Sequence, residues 1–103
     1  MIKHVVMWKF KAEAEGQTKA QNMDQLAEAL LALRPIIPEL ESMEIGQDLG
    51  IGREPFDMVL ITTFADADAL DRYQHHPAHK AVSAFCARIR DERATVDFEF
   101  DRI

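Results

Sequence analysis

Cysteine is almost absent from this 103-residue sequence, and the one cysteine, Cys86, has no partner for a disulfide within the chain. A single thiol also excludes a zinc site built from several thiolates. No apolar run approaches the length of a membrane span, and the start of the sequence lacks the long apolar segment and small-residue cleavage site of a signal peptide. We therefore expect a cytoplasmic protein with no membrane association.

Basic residues are too few to support binding to nucleic acid. The sequence has 12 Lys and Arg against 18 Asp and Glu, a formal net charge of −6. Such a chain has no general electrostatic attraction to a phosphate backbone. Linkers, internal repeats and low-complexity tracts are absent as well. Residues 1–103 are therefore expected to form a single globular domain with one hydrophobic core.

The hydrophobic pattern predicts an element order of β-α-β-β-α-α-β. The predicted strands cover residues 2–10, 41–49, 56–64 and 94–100. The predicted helices cover residues 18–34, 66–76 and 77–92, the last two being one element broken at Pro77. This order is the split βαβ, or ferredoxin-like, pattern of an α+β protein with a four-stranded antiparallel sheet.

The first and third predicted strands are apolar on both faces. Val5 and Met7 alternate with the residues that face the helices, and so do Val59 and Ile61. Helices cover only one face of such a sheet, so a second layer must cover the other. A second copy of the chain is the simplest cover, which predicts a homodimer through Val5, Met7, Val59 and Ile61.

The last predicted strand alternates strictly between apolar and polar residues. Its pattern predicts inward side chains at Val96, Phe98 and Phe100 and outward side chains at Thr95, Asp97 and Glu99.

Three of the four histidines lie in the stretch YQHHPAHKA, Tyr73–Ala81. His76 precedes Pro77, where its side chain can cap the following helix, and His75 is expected to be partly exposed at the end of the preceding one. A zinc site is disfavoured because Pro77 breaks the helix between His75 and His79 and so removes their i, i+4 geometry.

His79 differs from its neighbours because it lies on the apolar stripe of the last helix, three residues before Val82. Its imidazole is expected to point at the sheet, where His4 enters from the first strand and Tyr73 from the preceding helix. The predicted lining of this cavity is His4, Val6, Trp8, Tyr73, His79 and Val82. A buried imidazole must find hydrogen-bond partners or lose about 1–3 kcal/mol. The simpler alternative is a histidine that only completes the core.

Four stretches, in this order, resemble the stress-responsive A/B barrel (Dabb) family: IKHVVMWKFK, IIPEL, YQHHPAHKAV and VDFEF. The most specific are KHVV in the first strand and the HP-x-H junction at residues 76–79. The resemblance spans essentially the whole chain and implies a dimeric α+β barrel.

The resemblance leaves several functions open. Many members have no known reaction, and some plant members are stress proteins that act as dimers or larger assemblies. One plant branch contains a polyketide cyclase, which closes a ring by an intramolecular aldol step. Its general base, assisting tyrosine and pocket histidine match His79, Tyr73 and His4. Trp8 and Gln74 differ from the small aliphatic side chains expected around a long alkyl tail, a difference that bears on the substrate and not on the pocket.

The resemblance also implies a cation, such as Mg²⁺, held by the main-chain carbonyls of Arg34, Ile37 and Leu40. We expect a cavity that binds a small apolar or aromatic carbonyl compound, with His79 moving a proton as in a cofactor-independent cyclase, lyase or isomerase. The alternatives are a non-enzymatic stress-related dimer or assembly module and, by fold analogy, a cofactor-free monooxygenase.

Overall fold

A computed structural model describes residues 1–101. The helices are α1 (Lys19–Leu31), α2 (Ala67–His75) and α3 (Pro77–Ile89). The strands are β1 (Ile2–Phe10), β2 (Glu13–Ala14), β3 (Gln17–Thr18), β4 (Ser42–Gln47), β5 (Met58–Phe64) and β6 (Arg90–Glu99). An antiparallel sheet has the order β4-β5-β1-β6, and β2 and β3 form a small hairpin between β1 and α1 in the chain. The prediction of a ferredoxin-like α+β fold is confirmed.

The helices pack on one face of the sheet, and the core lies between these two layers. The molecule measures only 18 Å along its shortest axis, which is the thickness of one helix layer on one sheet. The buried residues of β1 are His4, Val6, Trp8 and Phe10. They meet an apolar stripe of α1 formed by Met23, Leu26 and Leu30. Within residues 1–101, no helix combines the length and the apolar character needed to cross a membrane.

The opposite face of the sheet, here called the open face, has no layer over it in the single chain. Val5 of β1 is the cross-strand partner of Ile61, and Met7 is the partner of Val59, as the alternation predicted. Met7 keeps 37% of its surface exposed. Apolar side chains on this face are therefore left in contact with water.

The prediction that Val96 and Phe98 point inward is wrong for the single chain. Val96 pairs with Val5, and Phe98 pairs with Lys3, so both lie on the open face, with 55% and 43% of their surfaces exposed. The pairing register with β1 decides which residues of β6 face the helices. The alternation within one strand does not contain this information. The same register turns Asp97 toward the helix side of the sheet.

Helix α3 ends three residues earlier than predicted, and β6 begins at once. The backbone of Arg90 is already extended, with φ −94° and ψ 150°, while its N–H still donates to the carbonyl of Cys86. The charged stretch of residues 90–93 is therefore strand and not helix. Residues 90–93 are all charged, so the sequence contains no apolar alternation that would indicate a strand there.

Side chains at the helix N-termini explain where the helices begin. Thr18 and Gln21 form a reciprocal capping box at α1, and Asp66 accepts a hydrogen bond from the N–H of Ala69 at α2. At α3 the cap is His76, whose Nδ1 accepts a hydrogen bond from the N–H of Ala78 at 3.0 Å. Its nearest histidine neighbour, His75, is exposed.

Replacing His76 with alanine should lower the free energy of unfolding by about 1 kcal/mol, because the first turn of α3 loses its cap. The matched change His75→Ala should alter it by less than about 0.5 kcal/mol, since that side chain is exposed. Chemical denaturation of both variants measures the difference. Equal effects would show that the cap contributes nothing specific.

Candidate functional site

A small cavity of about 60 Å³ lies between the sheet and helices α1 and α3. Its apolar wall consists of Val6, Trp8, Leu26, Leu30, Leu60 and Val82. Its polar and sulfur-bearing lining consists of His4, Tyr73, His79, Ser83, Cys86, Arg90 and Arg93. The structure thus brings together all six residues that were predicted to line one cavity, and it adds an arginine pair that the sequence did not indicate.

His79 reaches the cavity from the first turn of α3. Its Nδ1 donates a hydrogen bond to the carbonyl of Gln74 at 3.2 Å, because a carbonyl oxygen can only accept. The proton therefore stays on Nδ1, and Nε2 is left as the basic nitrogen. Burial lowers the pKa of His79 below its usual value of 6.5; the bond to Gln74 opposes this shift, while the positive charges of His4, Arg93 and His76 add to it.

Tyr73 is fully buried beside His79. Their ring centroids are 4.4 Å apart, and the centroid of the Phe64 ring lies 5.0 Å from that of Tyr73. Its hydroxyl is buried and has no hydrogen-bond partner among the described residues. Burial raises the pKa of Tyr73 to about 12, so the phenol stays protonated near neutral pH and is available as a hydrogen-bond donor.

His4 enters the cavity from the sheet and is only 3% exposed. It is the direct cross-strand partner of Asp97, and its Nδ1 is hydrogen-bonded to the Asp97 carboxylate. That bond fixes the orientation of the imidazole and places a proton on Nδ1, since the ionised carboxylate can only accept. Asp97 was predicted to point outward to solvent. Only the register between β1 and β6 identifies it as part of the site.

Cys86 and Ser83 also border the cavity from α3. Burial raises the pKa of Cys86 to about 11, with the positive charges of Arg90 and Arg93 opposing the shift. The thiol therefore remains protonated near neutral pH and is a poor nucleophile. Within residues 1–101, neither side chain makes a hydrogen bond to a base that would activate it as a nucleophile.

A second, larger hollow of about 510 Å³ lies along the open face. It is lined by Met7, Gly46, Gln47, Asp48, Leu49, Ile51, Phe56, Met58 and Val59. Asp48 is the only titratable side chain among the described residues that line it. The smaller cavity, which joins an imidazole with a lowered pKa to an unpartnered phenol, is therefore the better candidate for chemistry.

The described part of the chain contains no group of three or more His, Cys, Asp or Glu arranged to hold a metal ion. Arg34, Ile37 and Leu40, predicted to offer carbonyls to a cation, lie in the segment between α1 and β4. The carbonyl of Ile37 already accepts a hydrogen bond from the N–H of Leu40 at 3.2 Å, which leaves one lone pair on this oxygen. The carbonyl-bound cation stays a prediction.

The fold and the motifs together define a family. A profile of the stress-responsive A/B barrel domain matches residues 2–100, so the chain belongs to this family, as the motifs indicated. An uncharacterised protein of Streptomyces coelicolor is 32% identical over 81 residues, which make up 79% of this chain and 81% of the relative. A dimeric ferredoxin-like protein of unknown function from Bacteroides fragilis is 30% identical, with a TM-score of 0.85 over 96% of this chain and 95% of that one.

Two enzymes share the fold at lower identity. A hydroxynitrile lyase from Passiflora edulis is 17% identical, with a TM-score of 0.83 over 99% of this chain and 94% of that one. An antibiotic biosynthesis monooxygenase is 16% identical, with a TM-score of 0.69 over 99% of this chain and all of that one. At these identities the likeness shows the fold alone, and function must be argued from the site.

Because the pKa of His79 is lowered in the folded protein, the free energy of unfolding should depend on pH. In the unfolded chain a histidine binds a proton near pH 6.5, whereas folded His79 binds it only at lower pH. The unfolded state therefore binds more protons in this window, so the free energy of unfolding should fall as pH drops below about 6.5. NMR titration of the histidine ring protons and denaturation at several pH values measure both effects.

The variant His79→Gln should lose this part of the pH dependence, and His75→Ala should retain it. An unchanged slope in His79→Gln would show that another group carries the effect.

Proposed function

We propose that the cavity binds a small carbonyl compound and that His79 moves a proton on it. The observation that carries this proposal is the hydroxyl of Tyr73, which is buried without a partner beside the His79 imidazole. A buried hydroxyl without a hydrogen bond is costly to the fold, so its persistence favours a ligand that completes the bond. A carbonyl oxygen is the matching acceptor.

The chemistry follows from the protonation states. Nε2 of His79 is unprotonated near neutral pH and can take a proton from the carbon next to a carbonyl group. The electron pair of the broken C–H bond moves onto the carbonyl oxygen, and the Tyr73 hydroxyl stabilises that oxygen by a hydrogen bond. An enolate conjugated to a C=C bond takes the proton back from the His79 imidazolium at the far carbon of the conjugated system, which is an isomerisation. An enolate that attacks a second carbonyl carbon forms an alkoxide, and this alkoxide takes the proton from the imidazolium, which completes an aldol ring closure.

The size of the cavity limits the ligand. A volume of 60 Å³ has room for about four water molecules by the usual requirement of roughly 15 Å³ each. The cavity therefore suits a compound of a few heavy atoms or the carbonyl end of a longer one. The same fold serves a lyase and a monooxygenase, and the residues of this site favour the proton transfer of a lyase, cyclase or isomerase.

Changing Tyr73 to phenylalanine separates this function from a packing role. Removing a buried hydroxyl that has no partner should leave the free energy of unfolding unchanged or raise it by about 1 kcal/mol. Binding of small carbonyl compounds should weaken about tenfold, because the donor to their oxygen is gone. Ligand-detected NMR and denaturation on the wild type and on Tyr73→Phe measure the two quantities.

The second arm of the experiment uses His79→Ala across pH 5 to 8, a range that brackets the usual imidazole pKa. Affinity in the wild type should follow one titration below pH 6.5, and the variant should lose that dependence. If no carbonyl compound binds and both variants only lose stability, the histidine and tyrosine serve packing. The protein is then a non-enzymatic dimer or assembly module.

We further propose that two copies associate through their open faces. This face presents the apolar side chains of Val5, Met7 and Val96, and no helix within residues 1–101 covers them. The similar protein from Bacteroides fragilis is dimeric. Stacking two such faces would remove this apolar surface from water and would close the two sheets into one barrel.

Light scattering should give a mass of twice 11.7 kDa for the wild type at micromolar concentration. Met7→Lys should shift the protein to a monomer, because it places a charge on the open face, while Met7 itself is 37% exposed and not needed for the core. Leu31→Lys is the matched control, since Leu31 is 50% exposed at the end of α1. A wild-type monomer, or equal behaviour of the two variants, would contradict this interface.

A further inference from the structure

We propose that Arg90 and Arg93 form an anion site at the mouth of the cavity, and that this site selects ligands that carry a carboxylate close to the reacting carbonyl group. Both side chains line the cavity that also contains His79 and Tyr73. The proposal rests on the proposed function, because it names the substrate class of the same site.

An irregularity in β6 brings the two arginines to the same side of the sheet. Residues three apart in a regular strand point to opposite faces. Here Trp8 pairs with Arg93, but Phe10 pairs with Arg90, and the register shifts between Lys9 and Phe10. Trp8 and Phe10 both face the helices. The extra residue in β6 therefore turns Arg90 and Arg93 toward the helix side together, as bulges beside functional sites do.

The charge of this pair is not neutralised by the cavity. Among residues 1–101, no acidic side chain lines it. Glu92 lies between the two arginines in sequence, but it is bound to Lys9 at 3.3 Å on the opposite face. Asp91 is exposed and is not part of the lining. Within residues 1–101, neither Arg90 nor Arg93 has a carboxylate oxygen within 4.0 Å of its guanidinium.

The exposure of the pair suits a charged group of the ligand. Arg90 is half-buried and Arg93 is exposed, so a bound carboxylate would remain close to water and would not be fully desolvated. The planar guanidinium fork matches a carboxylate with two parallel hydrogen bonds. The positive charge of Arg93 already acts on the His79 imidazole, so the anion site and the base lie within electrostatic reach of each other.

Short oxo acids combine the two required groups. Their carboxylate fits the arginine pair, and their carbonyl group, only one or two carbons away, fits the 60 Å³ cavity with its Tyr73 hydroxyl. Pyruvate and acetoacetate are therefore suitable probes, and their methyl esters are neutral controls of nearly the same shape. Inorganic phosphate separates a general anion site from one that recognises a carboxylate beside a carbonyl.

Titration by ligand-detected NMR at pH 7 should show the two acids binding about tenfold more tightly than their esters. Arg90→Gln and Arg93→Gln should each remove most of that preference, because they weaken the binding of the acids much more than that of the esters. Arg93→Lys, which keeps the charge but loses the fork, should retain part of it. The matched control is Arg88→Gln, which removes the same charge from an exposed side chain that pairs with Glu15 outside the cavity.

Each remaining outcome counts against the arginine site in a distinguishable way. If acids and esters bind equally and both are lost in His79→Ala, the proposed function stands and the anion site is wrong. If the acids are preferred but Arg90→Gln and Arg93→Gln behave like Arg88→Gln, the preference arises elsewhere.

Phosphate binding that equals pyruvate binding would overturn the selection for an oxo acid. If neither acids nor esters bind, both proposals fail. Because equal binding of acid and ester to the wild type would overturn the anion site, this comparison tests the proposal even where a variant does not fold.

Discussion

The central position of β1 is the constraint on which the rest of the structure depends. This strand is hydrogen-bonded to β5 on one side and to β6 on the other, so its pairing registers set the faces of three strands at once. Successive side chains alternate across the sheet, which sends His4, Val6 and Trp8 to the cavity and Val5 and Met7 to the open face. A shift of one residue would exchange the cavity lining for the apolar open face.

Burial in the cavity acts on three titratable groups in directions that suit proton transfer. It keeps the Tyr73 phenol and the Cys86 thiol protonated and keeps the His79 imidazole neutral. The hydrogen bond from His79 to Gln74 then decides which nitrogen is basic. The packing that excludes water from the core thus also prepares a donor and a base side by side. The Tyr73 hydroxyl is buried without a hydrogen-bond partner among the described residues, and this unfavourable arrangement is typical of functional sites.

The edge strand β6 connects the two sides of the molecule. Its apolar residues Val96 and Phe98 belong to the open face, whereas Asp97 holds His4 at the cavity. The bulge near its start adds Arg90 and Arg93 to the cavity lining. The alternation within β6 separates Asp97 from Val96 and Phe98 but does not reveal which of them face the helices, and residues 90–93 are all charged and show no alternation. Pairing with β1 sets the faces of both groups. For this reason the arginine pair and Asp97 were missed.

Local patterns in the sequence were enough to determine the order of the three helices and the four strands of the main sheet, the break at Pro77, the helical face of His79 and the two-sided character of β1. These features depend on steric rules and side-chain periodicities that act over a few residues. The tertiary structure alone decided the pairing of His4 with Asp97, the isolation of the Tyr73 hydroxyl and the common face of Arg90 and Arg93. Each of these joins segments distant in the chain, through strand register and packing, and no local periodicity encodes that register.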